Sequence, residues 1–529
     1  MSFPDSQTRP PKQMELVRDE ALQGLQQALR VLLKKCPTIP VAAIRWIQVQ
    51  YPVYPEQDEL LDSTRSVGVL RHFAGLFYQT SRTFKHSILL ALRLLHYRWH
   101  YRASLRRLTG ETIDVILKSW DFPNRRQGGD EDFYLGDLQS RIESRGVQSL
   151  LLVGDSANTS FSEFASANVK VTAQWRLPEL LLLKPHIPVL VLACQVASAF
   201  RLHLLWLFES DCFLRRVYQK AALHVMSPRT ARNAAYYWIG RAAGKQWSPK
   251  GLVTLYEGRS WERCLWTGVK RTRPTCTIAG YQHAIILPTS LCLLEPEVDS
   301  ELVMPDVVAC RGEVTRDLLG KGHRAVGIET TALGSFQDDA ESDRSGPRPN
   351  ARCVLVMPVG FVEESIELFD FATEVARQLP DHRFVFRCHP IVSFGRIRSR
   401  LARPDLGENI EVSARLTLEE EINRASVTMY RGTSAVFEAA SAGHKPVYCG
   451  GPGSRNEDPL FEEQAWCERA TSVDEAAGIL RMYALSTPDE AFGRWESAAS
   501  YLGRYTQPVT ESAVDLLIHE LIRREEEGT

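Results

Sequence analysis

At 529 residues the chain is too long for one hydrophobic core, and about three folding units are expected. Its 44% hydrophobic and 24% charged content is that of an ordinary globular protein. A formal charge of −1 excludes capture of a polyanion by bulk electrostatics.

The eleven cysteines are scattered and form no Cys-x-x-Cys pair, which points to free thiols in a reducing compartment and not to a disulfide framework or a zinc site. The opening "MSFPDSQTRPPKQMELVRDE" has no apolar signal core, so a cytoplasmic location is expected.

Residues 1–110 read as a helical segment without strand–turn alternation. Between Asp62 and Glu111 there is no acidic residue, against nine Lys or Arg. Within "RTFKHSILLALRLLHYRWHYRASLRRL", Phe84, Ile88, Leu92, Leu95 and Trp99 share one helical face, and Arg98, Arg102 and Arg106 another. Three uses stay open: a solvated basic side on a packed helix, a peripheral foot on anionic lipid through residues 65–107, or a groove for an acidic acceptor. The basic stretch has no nucleic-acid reading motif, so no nucleic-acid partner is expected.

From Glu111 the texture alternates between strands and helices. "TIDVILKSW", "VQSLLLVGD", "GLVTLYEG", "CTIAGYQHA" and "DVVAC" read as strands, with helices such as "RSWERCLWTGVKRT" between them. "LPELLLLKPHIPVLVLACQVASAFRLHLLWLF" is interrupted by Lys184, Pro185, His186 and Pro188, then by Arg201 and His203; it predicts buried strand or helix material. Residues 111–336 form this first α/β unit, and a polar linker occupies 337–352.

A second α/β unit follows over 353–505, with strands in "CVLVMPVGF", "HRFVFRCHP", "IEVSA", "SVTMYRG" and "KPVYCGG". Thr417 and Glu420 predict a capping box. A helix over 506–529 closes the chain. Two α/β halves joined by a linker predict a cleft, with ligands beyond the carboxyl ends of the strands.

Candidate chemistry falls at four such ends. Glu257, closing a first-half strand, has the chemistry of a general base toward a hydroxyl; Glu257 and Glu262 equally suit the first turn of the next helix. Gln282 and His283 follow the next strand, where His283 donates to a phosphate, orients an acceptor or is a satisfied polar residue. Arg387 and His389 alternate onto one face before Pro390 stops the strand. Gly432, Thr433 and Ser434 stand at a helix mouth, as caps or as an anion cradle, with Glu438 one turn on and Gly360 at another strand-to-helix turn. Asp130 and Asp132 have metal-type spacing but precede an aromatic-rich helix as ordinary N-terminal acids; no metal is expected, and their loop is placed at the acceptor side.

In this order, Tyr256-Glu257-Gly258, His389-Pro390 and Thr433-Ser434 resemble bacterial glycosyltransferases of GT-B architecture that build surface carbohydrate, above all those using CMP-activated acidic sugars such as sialic acid or Kdo. The resemblance implies a GT-B-like fold of two Rossmann-like domains facing a cleft, here with an added N-terminal helical segment. It implies an inverting, metal-independent transfer from a CMP-sugar to a glycan or lipid-linked acceptor, with no cofactor beyond the donor. Glu257 would be the base, and His389, Thr433 and Ser434 would hold the nucleotide phosphate; Glu438, one turn on, then either meets the ribose or is a solvated helix residue. Tyr256 stands where that family has its first acidic residue, so the base is Glu257 or lies elsewhere. Competing readings are a UDP-sugar transferase or epimerase, a CDP-glycerol glycerophosphotransferase, and a non-catalytic scaffold.

Overall fold

The computed structural model describes residues 20–50, 53–62, 68–121, 131–155, 160–171, 175–296, 303–336, 352–413, 415–450, 455–463 and 465–523. Asp130 and all but Arg352 of the predicted 337–352 linker lie outside them.

Two parallel sheets organise the chain. The first contains β1 (Val115–Asp121), β2 (Ser149–Asp155), β3 (Lys170–Val171), β4 (Trp175–Pro178), β5 (Gly251–Leu255), β6 (Thr277–Gln282), β7 (Val307–Cys310) and β8 (Glu329–Ala332). Its order is β3-β4-β2-β1-β5-β6-β7-β8, parallel except for the β3–β4 pair. The second contains β9 (Cys353–Met357), β10 (Arg383–Phe386), β11 (Ile410–Val412), β12 (Val427–Tyr430), β13 (Lys445–Cys449) and β14 (Glu468–Ala470), in the order β11-β10-β9-β12-β13-β14. Both orders reverse direction once, between β1 and β5 and between β9 and β12. That is the doubly wound, Rossmann-like pattern, and each reversal opens a crevice at the carboxyl ends of the strands. The two α/β halves expected from the sequence are present.

The near-continuous apolar strands are covered by helices on both faces. Helices Pro228–Trp247 and Ser260–Lys270 approach very closely on the first sheet. A Cβ at Gly240 would sit 2.2 Å from the Leu265 carbonyl oxygen, and one at Gly268 would sit 2.1 Å from that of Tyr237, so only glycine fits at this crossing. The last helix, Glu511–Arg523, returns to the first sheet, where Val514, Leu517 and Leu521 pack among Val115, Leu117 and Val253. The Thr417–Glu420 capping box forms as predicted, with Glu420 accepting from Thr417 N at 2.7 Å.

The N-terminal segment is helical over Glu20–Lys35, Pro55–Leu61, Val69–His100 and Arg102–Thr109. It touches both halves: Arg30 donates to the Glu295 carbonyl at 3.2 Å, and Asp58 pairs with Arg455. The apolar face of Val69–His100 does not turn inward. Phe84, Ile88, Leu92, Leu95 and Trp99 are exposed, and the residues buried on this helix are His72, Thr83, Ser87 and Leu94. The stretch read as buried strand or helix material is the helix Ile187–Phe208, which likewise buries one side only and leaves Val196, Phe200, Leu207 and Phe208 exposed.

Candidate functional site

The carboxyl ends of the two sheets face each other. Ile285 and Arg311, following β6 and β7, line a cavity of about 60 Å³ together with Ser434, Phe437 and Glu438, following β12. A volume that small holds water and not a nucleotide, which needs several hundred Å³. A larger cavity of about 640 Å³ lies where the Glu20–Lys35 helix meets both halves, lined among others by Asp317, Lys321, Asn456 and Arg504. None of the sequence-predicted site residues lines it.

At the β1/β5 reversal, consecutive side chains diverge. Tyr256 is buried in the core, its hydroxyl 3.0 Å from His323 Nε2. Glu257 is half-buried and is met by two cationic or ionisable side chains: Arg259 Nε donates to it at 2.9 Å and His283 Nε2 at 3.1 Å. Burial alone would push the Glu257 carboxyl up, but the His283 hydrogen bond and the Arg259 charge outweigh it and hold the group well below the usual carboxylate range. Glu262 takes the capping role instead, accepting from the backbone N–H groups of Glu257, Gly258 and Arg259 at 3.0–3.1 Å. Gly258 has φ +76°, and a Cβ there would meet Cys292 Sγ at 2.3 Å, so the turn that presents Glu257 requires glycine.

His283 is 8% exposed, its ring lying edge-on to Tyr134 at 4.4 Å. With Nε2 donating to Glu257, the neutral ring carries its lone pair on Nδ1, which finds no hydrogen-bond partner among the described residues. Asp132 is buried and acts on this geometry indirectly: it accepts from Ser119 Oγ at 2.6 Å and from Tyr134 N and Leu135 N at 2.9 Å, closing the turn that holds Tyr134 against His283. Gln282 is fully buried and folds back onto the Ala284 carbonyl. Arg259 is braced from the N-terminal segment, donating to Tyr54 Oη at 2.9 Å. Tyr54 and Tyr134 were not singled out by spacing, because each reaches the site from a separate segment; Arg259 lies in the Glu257 turn itself, and only its side-chain direction makes it a partner.

In the second half, the turn after β9 and the strand end after β10 come together. A Cβ on Gly360 would lie 3.1 Å from His389 Nδ1, so the imidazole rests on that turn. Arg387 is held sideways, donating to the Leu416 carbonyl at 2.8 Å, and Pro390 is exposed. At the opening after β12, Gly432 has φ +61°, and Thr433 is buried, its hydroxyl accepting from Ala435 N at 3.3 Å. Ser434 is exposed and makes no capping bond; with Glu438 it faces the first half. Four further ionisable groups gather at this edge: Arg431, Glu367, Glu364 and Glu457. Arg431, 6% exposed, pairs with Glu367 at 2.8 Å. Burial, and then the neighbouring Glu457, push the Glu364 carboxyl up to about 9 against the pull of Arg431.

No protein-family model matches the chain, and no curated protein matches it. Among solved structures, the chain is similar to the glycotransferase of kitacinnamycin, with 13% identity over 78% of this chain and 99% of that one, at a TM-score of 0.43. A putative UDP-N-acetylglucosamine 2-epimerase from Listeria monocytogenes gives 11% identity over 79% and 97%, at 0.42. An α,α-trehalose 6-phosphate synthase from Burkholderia multivorans gives 11% over 79% and 98%, at 0.41. At those TM-scores, the two-sheet layout rests on this chain's own strand order.

Proposed function

We propose that the chain is a nucleotide-sugar-dependent glycosyltransferase of GT-B type. The observation that carries this reading is the Glu257–His283 pair at the carboxyl ends of the adjacent strands β5 and β6, the end of the sheet where ligands of doubly wound folds bind. An acceptor hydroxyl entering from the first half would give its proton to this pair, the receiving atom being the partly exposed Glu257 carboxylate or, once the Tyr134 turn opens, the buried Nδ1 of His283. A carboxylate held at low pKa is a weak base, which favours Glu257 as the group that orients the ring and His283 as the one that takes the proton. The hydroxyl attacks the anomeric carbon as its bond to the phosphate oxygen breaks. The departing nucleotide phosphate would be met by His389, the Gly360 turn, Gly432, Thr433 and Ser434, by preorganised electrostatics. Arg387, tied to its own loop, serves this edge through position and long-range charge.

The motif order supports a CMP-activated acidic sugar as the donor to test first, with UDP-sugars as the alternative. The test is product formation from CMP- and UDP-sugars with and without a hydroxyl acceptor. Acceptor-dependent release of the nucleotide supports transfer. Turnover of a UDP-sugar without any acceptor would establish an epimerase instead, and acceptor-dependent release of CMP from CDP-glycerol, with glycerol phosphate joined to the acceptor, a glycerophosphotransferase.

A further inference from the structure

The helix Val69–His100 is built inside out. Its body-facing residues include His72, Thr83 and Ser87, with the Thr83 hydroxyl donating to the Met226 carbonyl and His72 Nε2 lying 3.1 Å from His203 Nε2. Its outward side carries an apolar strip: Leu70, Phe77, Phe84, Ile88, Leu95 and Trp99 are all exposed, Leu70 by 89%. At 100° per residue these six fall in a strip about 60° wide running the length of a helix of about 48 Å. The antiparallel neighbour Ile187–Phe208 also turns apolar residues outward, Phe208 being 84% exposed. The two faces meet where Phe73 stacks on His203 at 6.1 Å. Exposed apolar surface on this scale marks a docking face.

Charge identifies what docks there. The exposed cations Arg71, Arg82, Lys85 and Arg93 lie between about 60° and 140° round the helix from Leu70, flanking the strip on one side. No acid occurs from Ser63 to Gly110, nor between Ile187 and Phe208. A second copy of the chain across this face would set these cations against their own counterparts, which costs affinity. An apolar strip flanked by long basic side chains matches the boundary between acyl chains and anionic headgroups. Ile187–Phe208 is long and apolar enough to cross a membrane, yet Val191, Leu202 and Trp206 are buried against the protein, and Arg201 donates to the Lys35 carbonyl. Both helices therefore lie along the surface of the protein and are placed to lie along that of a bilayer.

We infer that the paired outer faces of Val69–His100 and Ile187–Phe208 seat the protein on an anionic lipid bilayer, the first helix in the interfacial plane with its cations reaching the headgroups. This does not depend on the glycosyl-transfer reading.

The experiment is flotation of the full-length protein with vesicles of phosphatidylcholine alone and with about a third phosphatidylglycerol, at low and high salt. The expected result is flotation with the anionic vesicles, weakened at least about tenfold by salt or by combined Lys85→Ala and Arg93→Ala. A combined Phe77→Ser, Leu92→Ser and Phe200→Ser variant should melt as the parent does, since all three side chains are exposed, and should lose binding by about tenfold or more. No flotation with anionic vesicles overturns the inference, as does flotation that survives the triple serine change. Sedimentation showing a dimer that this variant dissolves, without vesicle binding by the parent, would assign the face to self-association and also overturn it.

Discussion

His283 Nε2 lies 3.1 Å from Glu257 Oε1, and the two side chains come from different strands, joined by no local turn. Because the carboxylate is also held by Arg259, it is pinned in one orientation, and the imidazole with it. Glu257→Gln should lower kcat by about 10²- to 10³-fold and leave nucleotide affinity within about twofold; His283→Ala should do the same. The double variant should lose little more than either single one, since the pair acts as a unit. Losses that multiply in the double variant would show that the two residues act separately.

Gly258→Ala combines a left-handed backbone with a Cβ 2.3 Å from Cys292 Sγ. The expected cost is about 2 kcal/mol or more of stability, read as a lower urea midpoint, and activity should fall further because the turn carries Glu257. Restoring space with Cys292→Ala should recover part of the midpoint while the positive φ keeps the rest lost.

Acid should destabilise the first half through His323. Burial depresses its pKa to about 4, and it stays neutral with Nδ1 donating to the Leu319 carbonyl and Nε2 accepting from Tyr256. The unfolded chain binds the proton from about pH 6.5 downward, while the folded one resists until about 4, so stability is full above 6.5 and falls as pH drops between those values. The contribution is about 3 kcal/mol at the lower end. His323→Gln should flatten this part of the stability–pH curve; an unchanged slope would count against the assignment.

Glu364 has the opposite sign. Its folded pKa of about 9 stands above the ordinary value of 4.5, so the folded state keeps a proton the unfolded state gives up, and stability falls as pH rises between the two. Glu364→Gln, a permanent mimic of the neutral carboxyl, should raise stability at pH 8 by about 1–2 kcal/mol and change little at pH 4. Equal effects at both pH values would mean that the carboxyl is not protonated in the fold.

Legibility followed how local each signal was. Strands such as β1, β5, β9 and β12 were plain as short apolar runs, and their alternation with helices gave two doubly wound halves. β8 and β14 were not, because "ETTA" and "ERA" are short, polar edge segments whose pairing alone makes them strands. Lys118 within "VILKSWD" gave no hint that it is completely buried, since its partner Glu179, at 3.0 Å, lies sixty-one positions on.

The helical period of Phe84 to Trp99 was legible, but which way that face turns was not. Periodicity finds a stripe, and only the neighbouring elements decide whether the stripe points inward. At the site, Glu257, His283 and His389 stood out by lying at strand ends. Arg259 and Arg431 adjoin those motifs in sequence but carry no signal of their side-chain direction, and Tyr134 needed the tertiary structure to bring it against His283.

The central claim is most directly tested by nucleotide binding, measured as the thermal shift of the parent and of His389→Ala with CMP, CDP, UDP and GDP. A nucleotide at about a hundred times its Kd stabilises by about 2.7 kcal/mol, a shift of a few degrees. The account predicts such a shift with one pyrimidine nucleotide, CMP first, and its loss in His389→Ala. A parent that responds to none of the four, or a variant that responds as fully as the parent, would contradict it.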